Sequence, residues 1–259
     1  YGLIGEKLGH SFSKDIHNLI GDYKYELKEI EKQNVDAFMK EKKFKAINVT
    51  IPYKQTVIPY LDQIDEAAEL IGAVNTVVNK NGKLYGYNTD FYGMKSLMEK
   101  MELSAYGKNV LILGTGGTSK TACALVKSLG AARVCKVSRN PGKDEDGCEV
   151  ISYEDAVNKT DTNIMMNTTP CGMFPKADAQ PVSLESFTAL EGVVDADYNP
   201  NCTSLVLSAR EKVVKAEGGL YMLVMQAVKA AEFFFEKPVD KSKAEEIFNI
   251  ILGRKENIV

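Results

Sequence analysis

Hydrophobic positions along this chain follow two spacings, and the switch from one to the other marks its elements. Val110, Leu111, Ile112 and Leu113 form an unbroken apolar run, the pattern of a strand buried on both faces. Ala122, Leu125, Val126 and Leu129 then recur at i, i+3, i+4 and i+7, the stripe of a helix packed on a sheet. Between them lies Gly114-Thr115-Gly116-Gly117, with Thr118 or Ser119 as the expected helix cap. Strand, glycine turn and helix start bring free backbone N–H groups and the helix dipole to one point. Such a point attracts phosphate, and glycines let a pyrophosphate approach the backbone. Ser119 stands where G-x-G-x-x-G has its third glycine. This part of the chain is expected to bind a dinucleotide.

On the N-terminal side, Tyr1–Gly5 reads as a strand, followed by a helix capped by Ser13 and running to Ile20. Tyr25–Ile30 alternates as a strand does. Asn34 opens a helix with Val35, Phe38 and Met39 inward, and Lys45–Ile51 is a third strand stopped by Pro52. The β-α-β order predicts a largely parallel sheet. The loop Asn48–Lys54 follows the third strand, where open α/β sheets bind ligands. A helix over Asp65–Ile71 leads to two strands, Ala73–Asn79 and Lys83–Tyr87, around an Asn81-Gly82 turn. Asn88-Thr89-Asp90 then starts a helix to about Met101.

Past the glycine turn, strands are expected at Arg133–Val137, Ile164–Met166 and Val193–Asp195, and Ser152 with Asp155 resembles a capping box. Helices are expected over Thr203–Lys215, Tyr221–Phe235 and Lys241–Leu252. The last two are expected to return to the first domain. That gives one domain of residues 1–101 with about 221–259, a second of 102–220, and a cleft between them.

Composition narrows the function classes. With 44% hydrophobic and 26% charged residues and a net charge of −3, the chain shows no basic surplus, so no nucleic-acid or membrane partner is expected. No apolar run approaches membrane-spanning length. The stretch YGLIGEKLGH lacks the basic and apolar regions of a signal peptide. Five scattered cysteines without a CxxC fit a reducing cytoplasm better than a disulfide frame or a zinc site. The two histidines lie far from any matching cluster, so no metal is expected.

Five segments taken together resemble the shikimate dehydrogenase family: GHSFSKDIHN (9–18), NVTIPYK (48–54), GAVNTV (72–77), GYNTD (86–90) and GGLYMLVMQA (218–227), with the glycine turn in the expected order. The resemblance runs essentially the full length. It implies two α/β domains, an N-terminal substrate and catalytic domain and a Rossmann-like NADP-binding domain. It also implies the interconversion of 3-dehydroshikimate and shikimate with NADPH, a step of chorismate and aromatic amino acid biosynthesis. Oxidising a secondary alcohol sends its hydride to nicotinamide while a base takes the hydroxyl proton. Lys54 and Asp90 match the family's pair at that oxygen.

The same resemblance assigns binding positions. Ser11 and Ser13 match paired serines that bind the substrate carboxylate, and Asn48, Thr50, Asn75 and Gln226 match polar positions around the ring. Tyr198 matches a tyrosine at the mouth of the site. Tyr221 stands where many relatives have a small residue, and its hydroxyl could reach the carboxylate. For the cofactor, Gly114, Thr115, Gly116, Gly117, Thr118 and Ser119 match the pyrophosphate loop, and Asn167 and Thr168 the loop beside the nicotinamide. Ala196, Gly219 and Glu66 match further cofactor contacts. Lys14 departs from the family's proline, Thr115 and Thr118 from its alanines, and Pro170-Cys171 from small hydroxylated residues.

Cofactor choice is read from charge. An NAD enzyme places Asp or Glu roughly 20 residues past the turn, to bond the ribose 2′-hydroxyl. Here that place reads Val137-Ser138-Arg139-Asn140, with Lys143 close behind. No carboxylate repels a 2′-phosphate, and Arg139 can pair with it or stack on adenine, so NADP is expected. Two other readings stay open: a quinate/shikimate dehydrogenase using NAD, and a non-catalytic dinucleotide sensor that would need the turn but neither Lys54 nor Asp90. A monomer or homodimer is expected.

Overall fold

Apolar runs of four or five residues become the strands and the wider-spaced stripes become the helices. The coordinates are a computed structural model and describe residues 1–9, 11–144 and 146–256. The chain divides into two α/β units, Tyr1–Gly93 with Val224–Val259, and Met94–Leu223.

The first unit contains β1 (Gly2–Gly5), α1 (Ser13–Ile20), β2 (Glu26–Glu29), α2 (Val35–Glu41), β3 (Ala46–Val49), β4 (Gln63–Ile64), α3 (Glu66–Ile71), β5 (Thr76–Lys80) and β6 (Lys83–Tyr87). Its sheet has the order β2-β1-β3-β5-β6-β4. It is mixed, where the sequence predicts a largely parallel one. β1 pairs in parallel with β2 and β3, but β5 runs antiparallel to both β3 and β6. The second of these pairs, β5 with β6, is the hairpin the sequence predicts, folded by Asn81 and Gly82, both at positive φ.

Side chains alternate across this sheet. Ile4, Ile47 and Val77 enter one core cluster with Val35 and Met39 of α2, while Leu3, Ala46 and Val78 enter another. β2 departs from the expected alternation. It is an edge strand with all four side chains exposed, held by buried Tyr25 and Ile30 at its ends. β3 stops at Val49, and Ile51 is already 75% exposed. Ser13 does not cap α1. It is the first helical residue, Phe12 occupies the cap position without a side-chain bond, and the Ser13 N–H donates to Ser11 Oγ at 3.2 Å.

α4 (Thr89–Lys100) leads into the second unit. There follow β7 (Asn109–Leu113), α5 (Gly117–Ser128), β8 (Arg133–Val137), β9 (Gly142–Lys143), β10 (Glu149–Ile151), α6 (Tyr153–Ala156), β11 (Ile164–Asn167), β12 (Gly192–Asp195), α7 (Ser204–Glu211) and β13 (Lys215–Glu217). The sheet order is β13-β12-β11-β7-β8-β10-β9, parallel except for the β9–β10 pair. Leu111, Leu113, Met165 and Val193 face Leu205, Val206 and Ala209 of α7 in one core.

Two expectations about helix ends need correcting, and a third holds. Gly116 is the N-cap of α5, so Thr118 and Ser119 lie inside its first turn and the Ser119 hydroxyl donates to Gly114 O at 2.8 Å. Ser152 does cap α6, accepting the Asp155 N–H at 3.0 Å. α7 ends at Glu211, four residues before the expected Lys215, because Val213 turns the chain at φ 59° and Lys215–Glu217 pairs with β12 as a strand. The short strands β4, β9 and β10 carry too few residues for a periodic signal.

α8 (Leu220–Phe235) and α9 (Lys241–Glu256) close the chain. Ala230 and Phe234 of α8 join Leu3 and Leu8 in one core cluster, and α9 lies against α1. Among the described residues no helix is long and apolar enough to cross a membrane.

Candidate active site

Sheet direction brings the motifs of the first unit to one edge. β1 and β3 run parallel, so the loops holding Ser11 and Thr50–Lys54 leave from the same side. β6 follows that direction through two antiparallel steps, so Thr89 and Asp90 start α4 at that side as well. The residues entering β5, Ala73–Asn75, return to it. Carboxyl edges of open α/β sheets are where ligands bind.

At this edge Lys54 Nζ donates to Asp90 Oδ2 at 2.6 Å. The two side chains are 31% and 23% exposed, sheltered but reachable from solvent. Each end of the pair is braced. Lys54 O accepts the Val74 N–H at 2.8 Å, tying the lysine loop to the strand entry. Asn75 Oδ1 accepts the Thr89 N–H at 2.7 Å and so caps α4 one residue before Asp90. Asp90 is therefore a first-turn residue of α4 and not its cap.

Behind the pair runs a buried polar chain. Asn48 accepts from Tyr25 OH at 2.8 Å and donates to Thr76 Oγ1 at 3.0 Å. The Thr89 hydroxyl stands 3.1 Å from Asn75 Oδ1 and 3.3 Å from Gln226 Oε1. Three of the sequence-selected polar residues, Asn48, Asn75 and Gln226, thus belong to one network. Tyr25, Thr76 and Thr89 complete it, and sequence reasoning missed them because each looks like an ordinary strand or cap residue. His17 stacks on Tyr25 at 4.0 Å between ring centroids, and burial pushes its pKa down to about 3. Thr50 is half-buried, with its N–H on Ile4 O at 2.9 Å.

In the second unit the parallel order changes direction between β7 and β11, the switch point where nucleotides sit. A cavity of about 620 Å³ opens there, lined by Gly114, Thr115, Gly116, Ser138, Arg139 and Thr168 among others. Gly114 adopts φ +106°, and a Cβ on it would stand 2.9 Å from Thr168 Oγ1. At Gly116 and Gly117 a Cβ would meet nothing within 4 Å. The N-terminus of α5 is left uncovered, as a pyrophosphate requires. Arg139 is exposed on the cavity wall in a turn closed by the Asn140 N–H on Ser138 Oγ at 3.2 Å. The residues present fit a dinucleotide phosphate.

Asn167 is buried and braces its loop, donating to Asp195 Oδ1 at 3.0 Å and accepting from Thr169 Oγ1 at 2.7 Å. Ala196 and Gly219 touch: a Cβ on Gly219 would lie 2.2 Å from Ala196 O. Thr118 is half-buried and Ser119 fully buried in α5. Tyr198 is half-buried, and burial raises its pKa. Tyr221 is buried under Lys100 Nζ, which stands 4.6 Å from the ring centroid. Glu66 is exposed at the start of α3 in the first unit. The side chain of Lys143 lies outside the described residues. Tyr153 and Gln180 also line the cavity, unannounced by any motif in the sequence.

Comparison with known proteins now decides the family. The shikimate dehydrogenase substrate binding domain family matches residues 3–77. The shikimate dehydrogenase (NADP(+)) of Clostridium beijerinckii is 38% identical over 262 residues, covering 96% of this chain and 97% of that protein. The chain belongs to the shikimate dehydrogenase family.

Solved structures agree. The chorismate mutase/shikimate 5-dehydrogenase fusion protein from Clostridium acetobutylicum superposes with a TM-score of 0.92 at 37% identity, covering 99% of this chain and 98% of that one. Shikimate 5-dehydrogenase from Thermus thermophilus, in complex with NADP(H) and shikimate, superposes with a TM-score of 0.83 at 26% identity, covering 96% and 97%. For the shikimate dehydrogenase family these matches span both units, so the resemblance is not confined to the nucleotide-binding half.

Proposed function

We propose that the chain is an NADP-dependent oxidoreductase that reversibly reduces 3-dehydroshikimate to shikimate, a step of aromatic amino acid biosynthesis. The observation that carries this reading is the 2.6 Å Lys54–Asp90 pair, sheltered and braced at both ends. The first unit provides the substrate side and the second the NADP side.

NADPH supplies the hydride when bound. The chain's own residues manage the proton and the charge. Lys54 Nζ donates to the reacting oxygen, stabilises the charge that grows on it and passes a proton to it. Asp90 holds Lys54 by accepting from Nζ and, in the oxidative direction, accepts from the substrate hydroxyl. Ser11 and Ser13 donate to the substrate carboxylate. Asn48, Thr50, Asn75 and Gln226 orient the ring hydroxyls, with Tyr198 and Tyr221 as further substrate contacts. The Gly114–Ser119 turn holds the pyrophosphate, and Ser138, Arg139, Asn140 and Lys143 the 2′-phosphate side. Asn167, Thr168, Ala196, Gly219 and Glu66 are the remaining cofactor contacts. The reading includes a cytoplasmic setting and a monomer or homodimer.

Initial rates of NADP and NAD reduction, measured with shikimate and with quinate side by side, test this. Shikimate with NADP is expected to give the highest kcat/KM. Quinate with NAD exceeding it would replace the reading with the catabolic one, and no turnover with any pair would leave only dinucleotide binding.

A further inference from the structure

Cysteines that are scattered in sequence meet in the fold. Cys123 on α5 and Cys148, one residue before β10, are 25 positions apart, yet their Sγ atoms stand 3.1 Å from each other. Both are buried, at 1% and 4% exposure. Around them lies an unusual set of charges. Lys136 of β8 is fully buried and ion-paired to Asp144 at 2.7 Å and to Asp146. Lys127 Nζ donates to Asp146 O at 3.2 Å, two residues before Cys148. Asp146 also accepts the Cys148 N–H through Oδ1 at 3.2 Å.

We propose that Cys123 and Cys148 are a redox-active pair that closes to an intramolecular disulfide, tying the helix that begins at the glycine turn to the segment entering β10. The oxidant is a low-molecular-weight disulfide such as oxidised glutathione. Cys148, the less deeply buried of the two, loses its proton and attacks it, breaking the glutathione S–S bond and releasing one glutathione thiolate. Cys123 then loses its proton and attacks Cys148 Sγ, releasing the second glutathione. Two protein thiols are oxidised by two electrons, one disulfide is reduced, and the two protons end on glutathione.

The order of attack follows from the surroundings. Burial, with the Cys148 thiol and Asp146 close by, pushes the Cys123 thiol up to about 12, so it waits protonated. Closure needs an approach of only about 1 Å, to a bond of about 2.05 Å.

Cys123, Asp146 and Cys148 also lie close enough to suggest a metal, with ligand atoms within 4.8 Å of one another. Two features favour the disulfide. Both Asp146 oxygens already have partners, one of them the buried Lys136 ammonium. A tetrahedral zinc with bonds of about 2.3 Å would also hold the two sulfurs apart, at about 3.8 Å.

The full chain, equilibrated in oxidised/reduced glutathione buffers and quenched by alkylation, tests the proposal by mass spectrometry. The expected result is that two of the five thiols escape alkylation, with a peptide cross-link between Cys123 and Cys148 and reversal by dithiothreitol. Cys148→Ser abolishes the cross-link, while Cys171→Ser/Cys202→Ser retains it. The oxidised chain should melt on the order of 5 °C higher than the reduced one. A chain that stays reduced throughout, or a cross-link through Cys135, Cys171 or Cys202, overturns it. So does stoichiometric zinc binding by the reduced chain that is lost in Cys148→Ser, which would make the pair a metal site.

Discussion

Lys54 and Asp90 are 36 positions apart, so the 2.6 Å contact depends on two separate anchors, one at Lys54 and one at Thr89 just before Asp90. A lysine that only positioned substrate would, on removal, raise KM and spare turnover. One that stabilises charge on the reacting oxygen acts more strongly in the transition state than in the ground state, and its loss falls on kcat. Lys54→Ala is therefore expected to lower kcat by at least about 10²-fold with KM changed far less, as steady-state kinetics would show. Asp90→Asn should lower it too, and the double variant should lose less than the product of the two. Turnover near normal in Lys54→Ala would end the case for this pair. Ser13 gives a second prediction, sharpened by the fold. Because it makes no capping bond, Ser13→Ala should raise KM for shikimate about tenfold, as for a lost bond to a charged group, with Tm unchanged. At this scale the sequence was legible through the family resemblance: NVTIPYK and NTD pointed to Lys54 and Asp90 as a pair, and the structure brings the two to 2.6 Å. It was silent on Tyr25, Thr76 and Thr89, whose importance lies in their mutual contacts.

At the scale of elements, periodic segments and the Asn81-Gly82 hairpin turn were readable, and the exact ends and short irregular strands were not. Arg133–Val137 is a strand as expected, but nothing in it signals that Lys136 is fully buried, since its partners Asp144 and Asp146 lie in a later loop. The helix expected to reach Lys215 breaks early because Val213 adopts a left-handed backbone, which a β-branched side chain disfavours and no propensity scale anticipates. That strain is testable. Val213 is 93% exposed and makes no core contribution, so Val213→Gly should raise stability by ~1 kcal/mol and Tm by about 2–4 °C in thermal melts. His17 joins three elements, stacking on Tyr25 and Phe234 while Nδ1 meets Tyr23 OH at 2.5 Å. With a folded pKa near 3 against 6.5 unfolded, the unfolded chain binds the extra proton between those values. Stability is then complete above pH 6.5 and falls as pH drops toward 3, by about 2 kcal/mol between pH 7 and pH 5. Urea unfolding at the two pH values should show this slope, and His17→Phe, which keeps the stacking, should flatten it.

Across the whole molecule, the two α/β units share one device: each brings its candidate site to the carboxyl edge of its own sheet, and the proposed function divides substrate and NADP between them. The glycine turn and the apolar runs made β7, β8, β11, β12 and α5 of the second unit readable, whereas β9, β10 and β13 were not. In the first unit the β5–β6 hairpin was readable but the antiparallel β3–β5 pairing was not, and the family motifs supplied the candidate residues there. The division predicts separable defects. Arg139 lines the cavity of the second unit and carries no part of the Lys54–Asp90 pair. If its guanidinium pairs with the 2′-phosphate of NADP, Arg139→Ala should narrow the preference for NADP over NAD at least tenfold, ~1.4 kcal/mol. The KM for shikimate should stay within about twofold, because the substrate-side hydrogen bonds are untouched. Lys54→Ala should show the mirror image, with NADP binding by fluorescence titration unchanged. Equal use of NAD and NADP by the unaltered chain would remove the basis for assigning Arg139 to the phosphate.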